Sequence, residues 1–355
     1  MNGARRAEAT GAPFWTGPLA YHLPEHLIAQ HPARERAASR LMIVDRASGA
    51  LRHATFADIG EFLPPGALLV ANDSRVFAAR LRGRKRGSGG AVEALLLSMG
   101  DRSVAPAMVR VAKPLHEGQV VEFGGGVEAR VAAPPDHGRV LLDFAPLGVA
   151  EAVAARGEIP LPPYITREDG PTTEDVERYQ TVYARDPGSV AAPTAGLHFT
   201  DGLLASLKRR GFEFATVTLH VGPGTFTPVR GDLERHEMEE EHYEVPAETI
   251  DAIARARRDG RPVVAIGTTT VRALESAADE HGNLAAGPRA SRLFIRPVYR
   301  FRAVDALVTN FHLPGSTLLA LVMALAGRER IEAAYETAVR EGYRFYSYGD
   351  AMLIR

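Results

Sequence analysis

The stretch FATVTLHVGPGTF, residues 214–226, carries the clearest fold signal in this chain. Its first half is rich in β-branched and apolar residues, which predicts a buried strand that ends at His220. The glycines of its second half predict a sharp turn, because glycine adopts backbone angles that other residues avoid. In α/β proteins, catalytic and binding residues often lie in the loop that follows a core strand. Taken alone, His220 is explained more simply as a satisfied turn residue, so other segments must point to the same place.

The composition sets limits on the class of protein. The chain has 355 residues, of which 45% are hydrophobic and 24% charged, with a formal net charge of −1. Such a chain is long enough for two domains, or for one domain with an insertion. It contains no cysteine, which excludes disulfides, thiolate nucleophiles and cysteine metal sites. No apolar run approaches the roughly 20 residues of a membrane span. Residues 1–18 lack the apolar core of a signal peptide, so we expect a flexible tail and a cytoplasmic protein with no membrane partner.

The texture of the sequence changes twice along the chain. Between residues 76 and 144, short β-like runs alternate with glycine-rich turns and no helical pattern intervenes, which predicts an inserted six-stranded antiparallel β-barrel domain. On either side, in residues 19–75 and 145–355, strands alternate with helices, including a predicted helix at residues 23–32. This alternation predicts an α/β main domain, either a sheet or barrel-like, that carries the active site.

Polar loops follow four of the predicted main-domain strands, at residues 72–75, 220–226, 267–272 and 310–315. Because the carboxyl ends of parallel strands meet at one edge, we expect these loops to share a face. That face is expected to gather His198, His220, His312, Arg272, Glu275 and Asp350. The histidines lack the carboxylate spacing of a metal site, so acid–base chemistry is the favoured interpretation and no metal is expected.

Two further features have both a binding and a structural interpretation. Thr268, Thr269 and Thr270 open a predicted helix, where free N–H groups favour a carboxylate or another anion, although simple capping explains them equally well. A basic run on the first barrel hairpin could contact phosphates or be a solvated face. It comprises Arg75, Arg80, Arg82, Arg84, Lys85 and Arg86.

Taken together, nine segments resemble one known family, the S-adenosylmethionine:tRNA ribosyltransferase-isomerases of queuosine biosynthesis. They occur in the family's order and span nearly the whole chain, except residues 1–18 and the middle of the insertion, about residues 88–143. The segments are LPEHLIAQHPARERAASRLMIVD (23–45), NDSRVFAARLRGRK (72–85), IPLPPYI (159–165), ERYQTVYARDPGSVAAPTAGLHFT (177–200), VTLHVGPGTFTPVR (217–230), HEMEEEHYEVP (236–246), AIGTTTVRALES (265–276), DALVTNFHLPGSTLL (305–319) and YRFYSYGDAML (343–353).

The resemblance implies a specific reaction. Such enzymes transfer and isomerise the ribosyl moiety of S-adenosylmethionine onto 7-aminomethyl-7-deazaguanine at the wobble position of tRNA. The products are epoxyqueuosine-tRNA, adenine and methionine, and no cofactor or metal beyond S-adenosylmethionine is expected. The family's fold, an α/β barrel-like domain with an inserted all-β barrel, agrees with the pattern above. The expected partner is the anticodon arm of a tRNA, and the protein is expected to be a monomer or a weak homodimer.

The resemblance also implies hypothetical roles for individual residues. Histidines titrate near neutral pH, which suits proton transfer at the ribose, at the leaving adenine and at the attacking amine. We assign acid–base chemistry to His198, His220 and His312, with Asp350 in cation or base recognition. Substrate binding is assigned to Thr268, Thr269, Arg272, Glu275, Asn310 and the aromatic Tyr164, Tyr179 and Phe311. Contact with tRNA is assigned to the six cations of the basic run.

Two rival functions remain. One is a tRNA-binding β module attached to an inactive α/β scaffold. The predicted convergence of histidines and arginines argues against it, because a non-catalytic scaffold does not need them. The other is an S-adenosylmethionine-dependent methyltransferase, which predicts a glycine-rich loop after the first strand, and none is convincing here. Product analysis separates them, because methyl transfer leaves S-adenosylhomocysteine whereas ribosyl transfer leaves adenine and methionine.

Overall fold

The computed structural model describes residues 17, 19–136, 138–226, 229 and 233–355. The predicted tail, residues 1–18, lies outside these residues except for Gly17 and is not tested. The strands are β1 (Arg40–Val44), β2 (Leu51–Thr55), β3 (Leu68–Asn72), β4 (Ser74–Val76), β5 (Arg80–Lys85), β6 (Ala91–Leu96), β7 (Val104–Val111), β8 (Val120–Gly124), β9 (Val127–Val131), β10 (Arg139–Asp143), β11 (Asp186–Ser189), β12 (Glu213–Leu219), β13 (Glu241–Val245), β14 (Val263–Ile266), β15 (Gly287–Ser291), β16 (Ala306–Asn310) and β17 (Ala351–Ile354).

The α-helices are α1 (Ile59–Phe62), α2 (Val149–Arg156), α3 (Thr173–Arg178), α4 (Asp201–Arg209), α5 (Ala247–Arg258), α6 (Thr268–Ala277), α7 (Thr317–Ala326) and α8 (Arg328–Arg340). Short 3-10 helices lie at Glu25–Leu27, Arg36–Ala38, Phe56–Asp58, Thr194–His198, Pro223–Phe226 and Leu233–Arg235. None of the helices in the described part of the chain is both long and apolar enough to cross a membrane.

Nine strands of the main domain form one mixed sheet in the order β15-β13-β12-β3-β14-β16-β17-β1-β2. Its centre, β12-β3-β14-β16, is parallel, and every residue of β3, β14 and β16 is buried. Strands buried in this way are typical of α/β proteins whose sheets are covered by helices. The loops after Asn72, Leu219, Ile266 and Asn310 therefore lie at one edge of the sheet. The α/β class and the shared edge are thus confirmed.

The connection from β14 to α6 is the tightest of these loops. Gly267 alone separates the strand from the helix, and its φ of 91° lies in a region that favours glycine. Val271 N–H donates to the Gly267 carbonyl as the first helical bond. The amino end of α6 is consequently fixed at the sheet edge, immediately beside the carboxyl end of β16.

The predicted helix at residues 23–32 is wrong apart from a single 3-10 turn at Glu25–Leu27. Ile28 is extended and forms a parallel bridge with Phe345. The Phe345 N–H donates to the Leu27 carbonyl and the Ala29 N–H donates to the Phe345 carbonyl. These main-chain groups therefore bind the C-terminal segment instead of continuing a helix, which the local sequence does not reveal.

The inserted domain is a closed antiparallel barrel of six strands, in the order β10-β7-β6-β5-β8-β9. Burial alternates along β6, β9 and β10, as expected of strands with one face in a barrel interior. The interior is filled by side chains such as Leu81, Phe123 and Leu142, each at most 2% exposed. The predicted six-stranded antiparallel barrel is confirmed, and its strands run from Arg80 to Asp143. The exact domain boundaries stay a prediction.

Candidate active site

A cavity opens at the edge of the sheet where the parallel strands end, and we call it the active-site cavity. Three stretches of main-domain chain form most of its wall, and two tyrosines, Tyr164 and Tyr346, also line it. The stretches are residues 191–195, which lead into the 3-10 helix Thr194–His198, residues 267–269 at the start of α6, and residues 309–313 at the end of β16. Val221, Ser316, Leu318 and Ser347 also contribute. Of the predicted site residues, the cavity therefore gathers Thr268, Thr269, Asn310, Phe311, His312 and Tyr164.

The amino end of α6 gives the cavity a positive pole. Gly267, Thr268 and Thr269 line it, and the N–H groups of the first helical turn have no partner within a helix. The Thr269 hydroxyl accepts a hydrogen bond from Asn72 at 3.3 Å, and the Thr270 hydroxyl donates to the Ile266 carbonyl at 2.7 Å. The Thr270 hydroxyl is thus occupied locally, whereas the main-chain N–H groups of the first turn are available as donors to an anion.

His312 is the histidine that lines this cavity. Its Nε2 lies 2.7 Å from the Thr309 hydroxyl, and its main-chain N–H donates to the Tyr335 hydroxyl at 2.9 Å. Its other ring nitrogen, Nδ1, makes no hydrogen bond with any described residue. Burial lowers the pKa of His312 to about 3, because the cavity wall cannot solvate an imidazolium. His312 is therefore neutral at physiological pH.

His198 lies behind the cavity wall and supports Asn310. Its Nδ1 is 2.6 Å from the Ser39 hydroxyl and its Nε2 is 3.3 Å from Asn310 Nδ2. Because Asn310 Nδ2 donates to it, Nε2 accepts, and the proton sits on Nδ1. Burial, with a further contribution from the Arg344 charge, lowers the pKa of His198 to about 3. Both ring nitrogens are engaged, so a direct proton transfer from His198 to a substrate would first require a rearrangement.

Asn310 carries an acceptor that the protein leaves unused. Its Nδ2 is shared between His198 and the Tyr346 carbonyl, at 3.3 and 3.0 Å. Its Oδ1 is buried and has no hydrogen-bond partner among the described residues, although Asn310 is only 3% exposed. A buried acceptor without a partner is costly, and such an atom in a cavity wall is suited to a donor group of a ligand.

The structure does not bring His220 into the active-site cavity. His220 instead lines a separate hollow beside His242, Glu244 and Arg289. Its ring packs against Gly188, where a Cβ atom would lie 2.7 Å from it. Burial is the largest cause of its lowered pKa. The next residue in the chain, Val221, lines the active-site cavity instead.

Three predicted charged residues already have protein partners. Arg272 forms a buried ion pair with Glu241, and their side chains are 4% and 5% exposed. The Glu275 carboxylate accepts hydrogen bonds from Tyr299 OH and from the N–H groups of residues 302–304, at 3.0–3.1 Å. Asp350 accepts from the N–H groups of Arg40 and Arg344, at 2.9 and 2.8 Å. None of the three lines the active-site cavity.

The aromatic residues divide between wall and core. The ring of Tyr164 lies 4.7 Å from that of Tyr346, and its hydroxyl is 2.6 Å from the Ser347 hydroxyl. Phe311 is fully buried and packs 5.0 Å from Phe345, and Tyr179 is equally buried. Sequence reasoning missed Tyr346, which holds an unusual positive φ of 71°. The only signal for it was the aromatic-rich stretch YRFYSYGD, and strain of this kind is common at functional sites.

The basic run on the barrel hairpin is largely paired. Arg80, Arg82 and Arg86 lie within 4 Å of glutamates, and the Lys85 ammonium donates to the carbonyls of Lys113 and Pro114. Arg84 donates only to the Gly89 carbonyl. Among the residues that the structure describes, Arg75 and Arg84 make no ion pair, so they hold most of the run's free charge. The placement of Arg75 on the barrel hairpin is wrong, because Arg75 lies on β4, which pairs with β11 outside the barrel.

Comparison with known proteins identifies relatives over nearly the whole chain. A sequence-family model described as a queuosine biosynthesis protein matches residues 17–354. An S-adenosylmethionine:tRNA ribosyltransferase-isomerase from Nitratidesulfovibrio vulgaris (strain DP4) is 50% identical and covers 98% of this chain and 99% of its own length. A protein of the same name from Anaeromyxobacter dehalogenans (strain 2CP-C) is 54% identical and covers 94% and 97%.

A solved structure extends the similarity to the fold. The crystal structure of an S-adenosylmethionine tRNA ribosyltransferase from Thermotoga maritima is 35% identical, with a TM-score of 0.54. The match covers 96% of this chain and 100% of that one. This chain belongs to the S-adenosylmethionine:tRNA ribosyltransferase-isomerase family of queuosine biosynthesis enzymes.

Proposed function

We propose that this enzyme transfers and isomerises the ribosyl moiety of S-adenosylmethionine onto 7-aminomethyl-7-deazaguanine at the wobble position of tRNA, giving epoxyqueuosine-tRNA, adenine and methionine. The observation that carries the proposal is the placement of a neutral histidine, His312, in one cavity with the amino end of α6. The proposal includes no cofactor or metal beyond S-adenosylmethionine, and the reaction takes place in the cytoplasm, where tRNA is found.

The two ends of S-adenosylmethionine match different parts of the cavity wall. The methionine carboxylate binds the free N–H groups of Thr268 and Thr269, where the α6 dipole favours negative charge. The sulfonium lies against the rings of Tyr164 and Tyr346, which attract a cation through their faces. The unused Oδ1 of Asn310 accepts a hydrogen bond from a donor on the substrate. Arg272, predicted for the carboxylate, is occupied by Glu241, so the helix end takes that role.

His312 is the proposed general base. The sulfonium acidifies the neighbouring C5′–H bond, and Nδ1 of His312 takes that proton while the electron pair stays on C5′ as an ylide. The C5′ electron pair then forms a C4′–C5′ double bond as the C4′–O4′ bond breaks. The released oxygen forms the C1′ carbonyl as adenine leaves with the electron pair of its glycosidic bond, and adenine takes up the proton held by His312. The Thr309 hydroxyl holds Nε2 and so fixes the orientation of the ring.

The low pKa of His312 keeps the base unprotonated but also weakens it. Two effects offset this weakness in the complex. The C–H bond is already acidified by the adjacent positive sulfur, and the methionine carboxylate and tRNA phosphates bring negative charge that raises the proton affinity of a nearby imidazole. A neutral histidine also avoids repulsion with the cationic substrate.

The decisive experiment is incubation of the protein with S-adenosylmethionine and a tRNA carrying the aminomethyl-deazaguanine base, followed by mass analysis of the digested nucleosides. We expect a modified base that is heavier by the epoxy-cyclopentanediol unit, with adenine released in step. The His312→Gln variant is the matched control, and it should bind tRNA without making product. A gain of one methyl group with S-adenosylhomocysteine, or tRNA binding without any mass change, contradicts the proposal.

A further inference from the structure

A second, smaller cavity adjoins the active-site cavity, and Ser347 lines both. Three arginines line the smaller cavity, Arg36, Arg178 and Arg344, and we call it the arginine cavity. His198 also lines it, and the same histidine contacts Asn310 of the active-site cavity. The arginine cavity is therefore connected to the wall of the active-site cavity through His198 and Ser347.

Positive charge in the arginine cavity is poorly compensated. Arg36 has no carboxylate within 4.0 Å among the described residues and donates instead to the carbonyls of Leu197, Glu177 and Arg178. The carboxylate nearest Arg178 is that of Glu174, at 3.9 Å, and this glutamate side chain is 54% exposed. The Arg344 guanidinium lies 3.7 Å from Asp350, a carboxylate that already accepts two main-chain N–H groups.

Burial and the excess of positive charge together lower the pKa of groups in the arginine cavity. The pKa of Arg36 is lowered first by burial and then by the charge of Arg178, and the charges of Arg344 and Arg36 both help to lower the pKa of His198. The Nε atom of Arg178 is buried without a hydrogen-bond partner among the described residues. Clustered guanidinium groups with unused donors are suited to an oxyanion, because each presents paired N–H groups that fit phosphate or carboxylate oxygens.

The substrates of the proposed function bring two kinds of oxyanion, the methionine carboxylate and the phosphates of tRNA. The carboxylate already has a site at the amino end of α6. We propose that the arginine cavity binds one backbone phosphate of the tRNA, next to the nucleotide whose base enters the active-site cavity. This inference rests on the proposed function. The tRNA contact nearest the reacting nucleotide is then the arginine cavity beside the active site. It is not the barrel hairpin, where most cations are paired within the protein.

Arg344 is the best residue for a test. Arg36 and Arg178 tie the loop at residues 33–36 to the end of α3 through bonds to main-chain carbonyls, so their loss could disturb the fold. Among the described residues, the Arg344 side chain makes only a 3.3 Å bond to the His31 carbonyl and the 3.7 Å contact with Asp350, and it is 35% exposed. Arg40 is the control because it too is a half-buried arginine whose main-chain N–H donates to Asp350 and whose guanidinium donates to one carbonyl. It also stacks on the Tyr343 ring, and it does not line the cavity.

The experiment measures binding of an unmodified RNA hairpin with the anticodon-arm sequence by the full-length protein, across a series of salt concentrations and without S-adenosylmethionine. For Arg344→Gln we expect the Kd to rise about tenfold, as for loss of one charge-assisted contact, and the slope of log Kd against log salt to fall by about one unit. The KM for S-adenosylmethionine should not change. Arg40→Gln should bind RNA like the wild type, and Arg178→Gln should reproduce the Arg344→Gln result if it folds.

Three outcomes would overturn the inference. The first is an unchanged Kd and salt slope in Arg344→Gln. The second is an equal loss in Arg344→Gln and Arg40→Gln, which would indicate a local structural effect. The third is a raised KM for S-adenosylmethionine with normal RNA binding, which would assign the cavity to the methionine carboxylate. Failure of the wild-type enzyme to modify tRNA contradicts the proposed function instead, because the hairpin measurement needs no turnover.

Discussion

Replacement of Thr309 by valine tests whether the hydrogen bond to His312 positions the proposed base. Valine nearly matches the shape of threonine but has no hydroxyl group, so the change removes the 2.7 Å contact between Thr309 Oγ1 and His312 Nε2. Thr309 is only 1% exposed, which leaves little room for water to replace the lost partner. A buried polar group left unpaired in this way costs about 1–3 kcal/mol.

The lost hydrogen bond is expected to lower kcat. If the bond holds the imidazole in its reacting orientation, the loss appears in the transition state, where about 1.4 kcal/mol corresponds to a factor of ten. We therefore expect kcat to fall by a factor of about 5 to 150. The KM for S-adenosylmethionine should stay near the wild-type value, because Thr309 contributes no charge to substrate binding. The assay is the initial rate of adenine release at saturating S-adenosylmethionine and tRNA.

Thr309→Ser is the matched control because it keeps the hydroxyl and removes only a methyl group. We expect it to retain most of the wild-type kcat. Two results would refute the reasoning: a wild-type kcat in Thr309→Val, or an equal loss of kcat in both variants, which would trace the effect to packing of the methyl group. Thermal unfolding of each variant separates a lost fold from a lost orientation.

Three other predictions concern stability, charge pairing and tRNA contact. The pKa of His312 is about 3 in the folded protein and near 6.5 when unfolded. Its contribution to stability is therefore complete above pH 6.5 and is lost as the pH falls towards 3. Urea midpoints measured at pH 7 and pH 5 should differ less in His312→Gln than in the wild type. Arg272→Met should lower the free energy of unfolding by about 1–3 kcal/mol because it removes the guanidinium that pairs with the buried Glu241 carboxylate, and urea titration of the double variant with Glu241→Met should show recovery. Arg84→Gln should weaken RNA-hairpin binding more than Arg86→Gln, since Arg86 is neutralised by two glutamates; the reverse order would contradict this account of the hairpin.

The sequence predicted the framework of the site because strand ends and helix starts have strong local signals. Glycine at position 267, between an apolar strand and a run of threonines, indicated where α6 begins, and the structure places that helix end in the cavity wall. The polar end of β16 located Asn310 and His312 in the same way. Alternation of short apolar runs with glycine turns was likewise sufficient to predict the six-stranded barrel.

Side-chain direction and pairing partners were beyond the reach of sequence patterns. His220 and Val221 are consecutive, so their side chains point to opposite sides of an extended chain, and it is Val221 that reaches the cavity. Glu275 and Arg272 occupy a helix that begins at the cavity, yet both turn to partners elsewhere in the fold. Tyr346 was missed because its position depends on a left-handed backbone conformation that no local pattern indicated.

The distribution of charge around the site explains why its central histidine must be neutral. The amino end of α6 and the arginine cavity both present positive potential, and the ribosyl donor itself is a sulfonium cation. An imidazolium at position 312 would add a further positive charge to the same small, poorly solvated space. The proposed position of the sulfonium is the part of the wall without cations, formed by the rings of Tyr164 and Tyr346 and the unused Oδ1 of Asn310. In the proposed binding mode, the anionic parts of both substrates lie at the rim and the helix end, and the reacting carbon lies beside His312, the one histidine among the described residues that line the cavity.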